Sequence, residues 1–250
     1  MTLGEFVQSS FAQRRERLEA AVAKVKAHPG AEEVHQLRTS LRRMQALGRV
    51  WPWALEAGSW QEFSRARRKV MQASGEVRDR DNAIALLGEN EALAQALAGQ
   101  RQLWAKALLR RLASLAVPCL ADEFPKRAER DAEAYARSLF EKEHESLQKH
   151  AAALDEADLE AWHKFRIRAK HCRYTLELLG DLGFEDIPLA LSELKTLQDF
   201  LGQIQDFGAA QTMARKAAGK AKLIRPELSM LEQKRRELSQ QPLPKPAMLF

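Results

Sequence analysis

One basic helical cassette occurs twice in this 250-residue chain, and that duplication restricts the fold more than composition does. The first copy runs Val34-His35-Gln36-Leu37-Arg38-Thr39-Ser40-Leu41-Arg42-Arg43. The second runs Trp162-His163-Lys164-Phe165-Arg166-Ile167-Arg168-Ala169-Lys170-His171. With His35 set on His163, Arg38 falls on Arg166 and Arg42 on Lys170. At about 100° per residue, His35, Arg38, Arg42, Gln45 and Arg49 share one helical stripe, beside Val34, Leu37, Leu41, Met44 and Gly48. The second copy places His163, Arg166, Lys170 and Arg173 beside Trp162, Phe165, Ala169, Cys172 and Leu176. The cations thus border the apolar stripe, so their stems can pack while their heads converge on a semi-enclosed groove. Such a groove suits an extended anion.

The repeat continues downstream. Arg68-Lys69-Val70-Met71-Gln72 leads to Gly75 and Asp79, and Lys195-Thr196-Leu197-Gln198-Asp199 leads to Gly202 and Asp206. The glycine and aspartate pairs lie 127 residues apart and the histidine pair 128, a one-residue loop difference. Two four-helix units follow, each ordered helix, basic helix, Gly-Asp helix, helix. They cover residues 1–124 and 125–240, with a proline-rich tail at 241–250. A glycine inside a helix costs about 0.5–1 kcal/mol against alanine, so Gly75 and Gly202 are expected at close helix contacts. Asp79 and Asp206 are expected to cap a segment or hold a neighbouring arginine.

Elsewhere glycine and proline mark joints, including His28-Pro29-Gly30, Leu87-Gly88, Ala98-Gly99 and Phe124-Pro125. No hairpin dipeptide sits between alternating segments. The fold class is all-α, with helices expected near 4–27, 31–51, 59–79, 100–122, 127–156, 158–180, 188–217 and 226–240.

The formal charge of +6 is moderate, so its distribution decides more than its size. Between Val34 and Arg80, ten lysines and arginines face four acids. That local excess predicts an acidic polymer, a nucleic acid or an anionic surface as partner. The two cysteines, Cys119 and Cys172, lie among apolar residues and read as core thiols rather than a disulfide framework. No secretory-type apolar stretch opens the chain and no apolar run approaches about 18 residues. A reducing, cytoplasmic compartment is expected, with no membrane partner.

On these residues the chain resembles the CHAD family, the histidine-containing α-helical domain. The resemblance rests on His35-x-x-Arg38-x-x-x-Arg42-Arg43, His163-x-x-Arg166-Ile167-x-x-Lys170, Leu176-Glu177-Leu178-Leu179 and the two Gly-x-x-x-Asp segments, over residues 4–240. It implies two four-helix bundles related by an internal pseudo-twofold around a basic central channel. In that family the channel binds inorganic polyphosphate, and some members attach to storage granules. Polyphosphate is therefore the implied partner, with granule-associated proteins as further partners and the granule as a location. Gln45 and His171 replace residues that are commonly basic in the family, which should weaken the channel's field modestly.

The expected site comprises His35, Arg38, Arg42 and Arg49 with His163, Arg166, Lys170 and Arg173, joined by Arg68, Lys69 and Lys195. Arg43 and Arg168 lie on other helical phases and rank below these. Arginine forks match phosphate oxygens, and residues three or four apart on a helix lie about 5–6 Å from each other. Such a ladder can follow a phosphate chain without reading a base. The histidines, crowded by cations, are expected either to stay neutral until an anion arrives and then take up protons near pH 7, or to donate from one ring nitrogen and fix a neighbour. Cofactors, metals and catalytic residues are not expected, because neither a dense carboxylate cluster nor a phosphate-binding glycine loop accompanies the cations. Two alternatives stay open. One is RNA or DNA binding, although Trp51, Trp53, Trp60, Trp104 and Trp162 do not interleave with the basic stripe as stacking platforms. The other is a phosphoanhydride hydrolase or its accessory subunit.

Overall fold

Side-chain caps start four of the helices in the computed structural model, which describes residues 1–153, 159–182, 186–218 and 224–241. Helix α1 (Leu3–Ala27) opens on a capping box: the Glu5 N–H donates to the Thr2 hydroxyl and the Thr2 N–H to the Glu5 carboxylate. Helix α2 (Ala31–Val50) follows Pro29-Gly30. Glu56, Asn90 and Asp131 accept backbone N–H groups at the starts of α3 (Ala57–Leu87), α4 (Glu91–Leu112) and α5 (Ala132–Ala152). Helices α6 (Leu159–Leu179), α7 (Asp186–Ala218) and α8 (Arg225–Ser239) complete the order. Among the described residues there is no strand, only isolated bridges pairing Thr2 with Asp131 and Leu55 with Leu120. The fold is all-α.

Three helices differ from the sequence expectation, and α5 begins at Ala132 rather than near 127. Helix α3 runs on past Asp79 to Leu87, and α4 occupies 91–112 rather than 100–122. Gly99, read as a joint, lies inside α4, where an added Cβ would meet nothing within 4 Å. Its conformational cost is offset by burial of Leu93 and Leu97 on the same helix. Pro118 has no N–H to continue a helix, and the segment after Leu112 instead bonds to the end of the α2–α3 connection. There the Glu56 N–H donates to the Cys119 carbonyl (3.0 Å) and the Ala121 N–H to the Ala54 carbonyl (2.9 Å). This leaves the Cys119 thiol exposed, contrary to its reading as a core thiol, while Cys172 is buried. Residues 242–250 of the expected tail lie outside the described residues.

The apolar stripes are buried as their spacing predicts. Val34, Leu37, Leu41 and Met44 are fully covered, as are Ala169 and Cys172, and Trp162, Phe165 and Leu176 nearly so. Each fully buried large side chain contributes about 1.5–3 kcal/mol. Gly48 has a packing role: a Cβ there would lie 2.4 Å from the Trp60 ring, so glycine lets the start of α3 cross α2. The helices pack in the chain sequence α1–α2–α3–α4 and again α5–α6–α7–α8, and equivalent helices meet as α1–α5, α2–α6 and α3–α7. One large apolar cluster runs from α1 to the first part of α7. A smaller one joins Leu87 and Leu97 to Met213 and Leu231, where α3 and α4 meet α7 and α8. Each cluster draws on both halves of the chain. No helix of the described residues is long and apolar enough to cross a membrane.

Candidate functional site

Packing α2 against α6 turns two basic stripes toward one another. Because each stripe borders a buried face, the cations sit at the edge of the contact instead of in bulk solvent. Between the helices lies a cleft of about 240 Å³ lined by Arg42 and Arg49 from α2 and by Arg166 and Lys170 from α6. Gln45, Met71, Ile167, His171 and Tyr174 supply the remaining side-chain walls together with Ala46.

Arg38 forms the base of this cationic group. Its Nη1 donates to the Met71 carbonyl (2.8 Å) and to the Ser74 hydroxyl (3.0 Å), fastening α2 to α3. Gly75 gives that guanidinium room: a Cβ there would lie 3.3 Å from Nη1. The glycine therefore accommodates a guanidinium rather than a helix backbone. Gly202, its counterpart, would meet nothing within 4 Å, so the expected close contact does not exist there. In the second copy, α7 approaches α6 through Gln198, whose Nε2 donates to the Ala169 carbonyl (3.1 Å).

Burial and mutual repulsion depress the cations. Lys170 is held down to about 7 by burial and by the charges of Arg166, Arg42, Arg38 and Arg173. Arg38 is lowered to about 10 by burial and then by Arg42, with Asp79 opposing. Arg166 is lowered by burial, with Asp206 opposing and Arg42 adding to the depression. Burial raises Asp79 and Asp206, and Arg38 and Arg166 respectively act against that rise. Both aspartates lie inside their helices rather than at a helix start, and each acts on an arginine of the basic helix through its charge.

The other expected residues have separate places. Arg49 lines the cleft and also crosses to α6, donating to the His171 carbonyl (2.9 Å) and the Thr175 hydroxyl (2.7 Å). Arg43 pairs with Glu177 (2.7 Å), which also takes Arg173 (3.2 Å); Arg173 lies 4.9 Å over the Tyr174 ring. Arg168 pairs with Glu143 of α5. His35 is exposed and lines a groove between α1 and α2, and it is pushed down by burial and then by Arg78. His163 is exposed on α6, its Nδ1 3.4 Å from the Gln205 amide oxygen. Arg68, Lys69 and Lys195 are exposed outside the cleft. They precede Met71 and Gln198, the residues through which α3 and α7 contact the basic helices. The structure thus brings Arg42, Arg49, Arg166 and Lys170 to one cleft and leaves Arg68, Lys69 and Lys195 outside it.

It also left out Tyr174 and Arg78. Tyr174 stands four residues after Lys170, so helical spacing alone carries the signal for it. Arg78 acts on both His35 and Asp206, and its place next to Asp79 was the available clue. His171, noted as a departure from a basic residue, lines the cleft in neutral form, pushed to about 4 by burial and by Arg49 and Arg168.

Comparison with known proteins agrees with this architecture. No curated protein matches the chain. The crystal structure of the CHAD domain from the plant Ricinus communis superposes with a TM-score of 0.71 at 20% identity, over 98% of this chain and 94% of that one. PptA from Streptomyces chartreusis superposes with a TM-score of 0.61 at 16% identity, over 96% and 95% of the two chains. At such identities the likeness concerns the fold alone. The CHAD domain family itself matches residues 9–215, well over half of the sequence, with both basic helices inside the match. The chain belongs to the CHAD domain family.

Proposed function

We propose that this protein binds inorganic polyphosphate in the α2–α6 cleft, without carrying out chemistry on it. The observation that supports this best is the convergence of Arg42 and Arg49 with Arg166 and Lys170 on one cleft. Four cations at helical spacing from two helices form a two-sided track for a repeating anion. Burial strengthens each contact relative to water, and the arginine forks can take two phosphate oxygens at once. Mutual repulsion among the cations is relieved when the polymer enters. Binding therefore stabilises the fold by mass action, by about 2.7 kcal/mol at a hundredfold excess over the dissociation constant.

The walls favour this reading over nucleic acid. Trp51 and Trp162 are buried, Trp60 lies on Gly48, Trp53 packs on Phe124, and Trp104 stands near Arg80. Tyr174, the aromatic residue in the cleft, is buried and covered by Arg173. Among the described residues, these rings offer bases no open stacking platform. Attachment to polyphosphate or storage granules in the cytoplasm, suggested by the family resemblance, is the biological extension of the same reading.

A titration with long-chain polyphosphate, single-stranded RNA and duplex DNA at matched charge tests the proposal. Polyphosphate should bind best, and Arg42→Ala with Lys170→Ala should weaken it by roughly a hundredfold or more. Retained affinity in that double variant, or equal binding of all three polymers, removes the reading.

A further inference from the structure

A second, smaller cavity lies where α6, α7 and α8 meet, and it shares one wall with the cleft. That wall is Arg166, which lines both. The smaller cavity has a volume of about 50 Å³ and is faced by His163, Arg166, Gln205, Gly208 and Arg235. Leu201 and Ile204 of α7 supply apolar walls. Its volume is below the share of two waters in the liquid, at about 30 Å³ each. That size suits the oxygens of a single phosphoryl group better than a length of chain.

Two features suit it to an anion. The Nε atoms of Arg166 and Arg235 are both buried, and among the described residues neither has a hydrogen-bond partner. A buried guanidinium N–H left unmade is costly and usually indicates a missing acceptor. The second feature comes from the duplication. Gly208 is equivalent to Asp81, 127 residues earlier, and Asp81 neutralises Arg101 of α4 in an ion pair of 2.5 Å. Gly208 brings no carboxylate to Arg235; a Cβ there would simply touch the Arg235 Cζ at 3.4 Å. The first copy carries an anion at this position, paired with an arginine whose own counterpart is Leu228, and the second carries none.

We infer that the α6–α7–α8 cavity receives the terminal phosphate of a polyphosphate chain whose following phosphates lie in the α2–α6 cleft. A terminal phosphoryl group resembles a phosphomonoester, with a charge of about −1.5 to −2 at pH 7 and three free oxygens, whereas an internal phosphate carries a single charge. Arg166 and Arg235 answer the extra charge, and the His163 ring is placed to donate to a third oxygen. Arg166 bridges the terminal and penultimate groups. This inference rests on the polyphosphate reading of the cleft and adds recognition of the chain end.

The test compares one short polyphosphate length in two forms, with free ends and with both terminal phosphates converted to phosphoramidates. The wild-type protein should bind the free-ended chain about tenfold or more tightly than the capped chain. Arg235→Gln should remove that preference and leave capped-chain affinity at the wild-type value. Gly208→Asp should do the same by placing a carboxylate beside the Arg235 guanidinium, and it guards against a folding defect in the arginine variant. Equal binding of both forms by the wild type overturns the inference and leaves the cleft reading intact. If neither form outcompetes RNA of matched charge, the cleft reading fails and takes the inference with it.

Discussion

The two copies of the basic cassette share a histidine and an arginine at the same offsets, His35 with His163 and Arg38 with Arg166, and the two arginines have different surroundings. In the first copy Arg38 is fastened to the Met71 carbonyl and the Ser74 hydroxyl, in space left by Gly75. In the second, Arg166 has a buried Nε with no partner among the described residues and faces two cavities. Further along, Arg49 of α2 is equivalent to Glu177 of α6. Each reaches the opposite helix: Arg49 donates to α6, and Glu177 accepts from Arg43 of α2. Opposite charges at equivalent positions let two otherwise like-charged helices pack. The central arginine of the first copy ties two helices together, and that of the second leaves a donor unmade beside both cavities.

Arginine-to-alanine substitution at Arg38 and Arg166 separates these roles most sharply. Arg38→Ala should lower unfolding free energy by about 1–3 kcal/mol, since it breaks the α2–α3 tie. Arg166→Ala should leave thermal stability unchanged or raised, because it removes an unpaired buried donor and relieves repulsion. It should cost polyphosphate affinity about tenfold or more. Identical behaviour of the two variants in denaturation and titration breaks the comparison.

Lys170 gives the next effect. Its ammonium is lowered from 10.5 to about 7 in the folded protein. Between these values the unfolded chain binds a proton that the folded one does not, so stability rises with pH across that window. The wild-type Tm should climb from pH 7 towards 10.5 relative to Lys170→Met, in which the rise disappears. A bound anion favours the charged form, so binding at pH 8 should take up a proton at Lys170. Calorimetry in buffers of different ionisation enthalpy reads that uptake, and its persistence in Lys170→Met would move the proton to another group. The sequence expectation assigned this uptake to the histidines. Lys170, set among four arginines, is a second group able to take up that proton, and the Lys170→Met comparison separates the two.

The smallest contrast concerns the paired glycines. Gly202→Ala has open space and should stabilise by about 0.5–1 kcal/mol. Gly75→Ala presses on the Arg38 guanidinium and should gain less or lose stability, as urea denaturation would detect.

Much of the architecture was legible. The period of Val34, Leu37, Leu41 and Met44 and of their counterparts after Trp162 identified the buried faces, because a helix has one angular rule for every residue. The same rule placed Arg42 beside Arg49 and Arg166 beside Lys170. Where it was misleading, a local signal met a tertiary one. Gly99 looked like a joint because glycine weakens helices, yet burial of Leu93 and Leu97 outweighs one residue's propensity. Arg68 and Lys195 had the right spacing on their own helices, but spacing does not say how far along a neighbour two helices cross.

By itself, then, the sequence determined the all-α class, the duplication, the two buried stripes and the basic rows beside them, since each depends only on intervals of three and four residues. The tertiary structure alone decided that α2 faces α6, that Glu177 takes Arg43, that Lys170 lies among four arginines, and that Arg235 of α8 comes to Arg166. Those facts join residues tens to more than a hundred positions apart, and they follow from how helices of given shape pack, which no interval within one helix records.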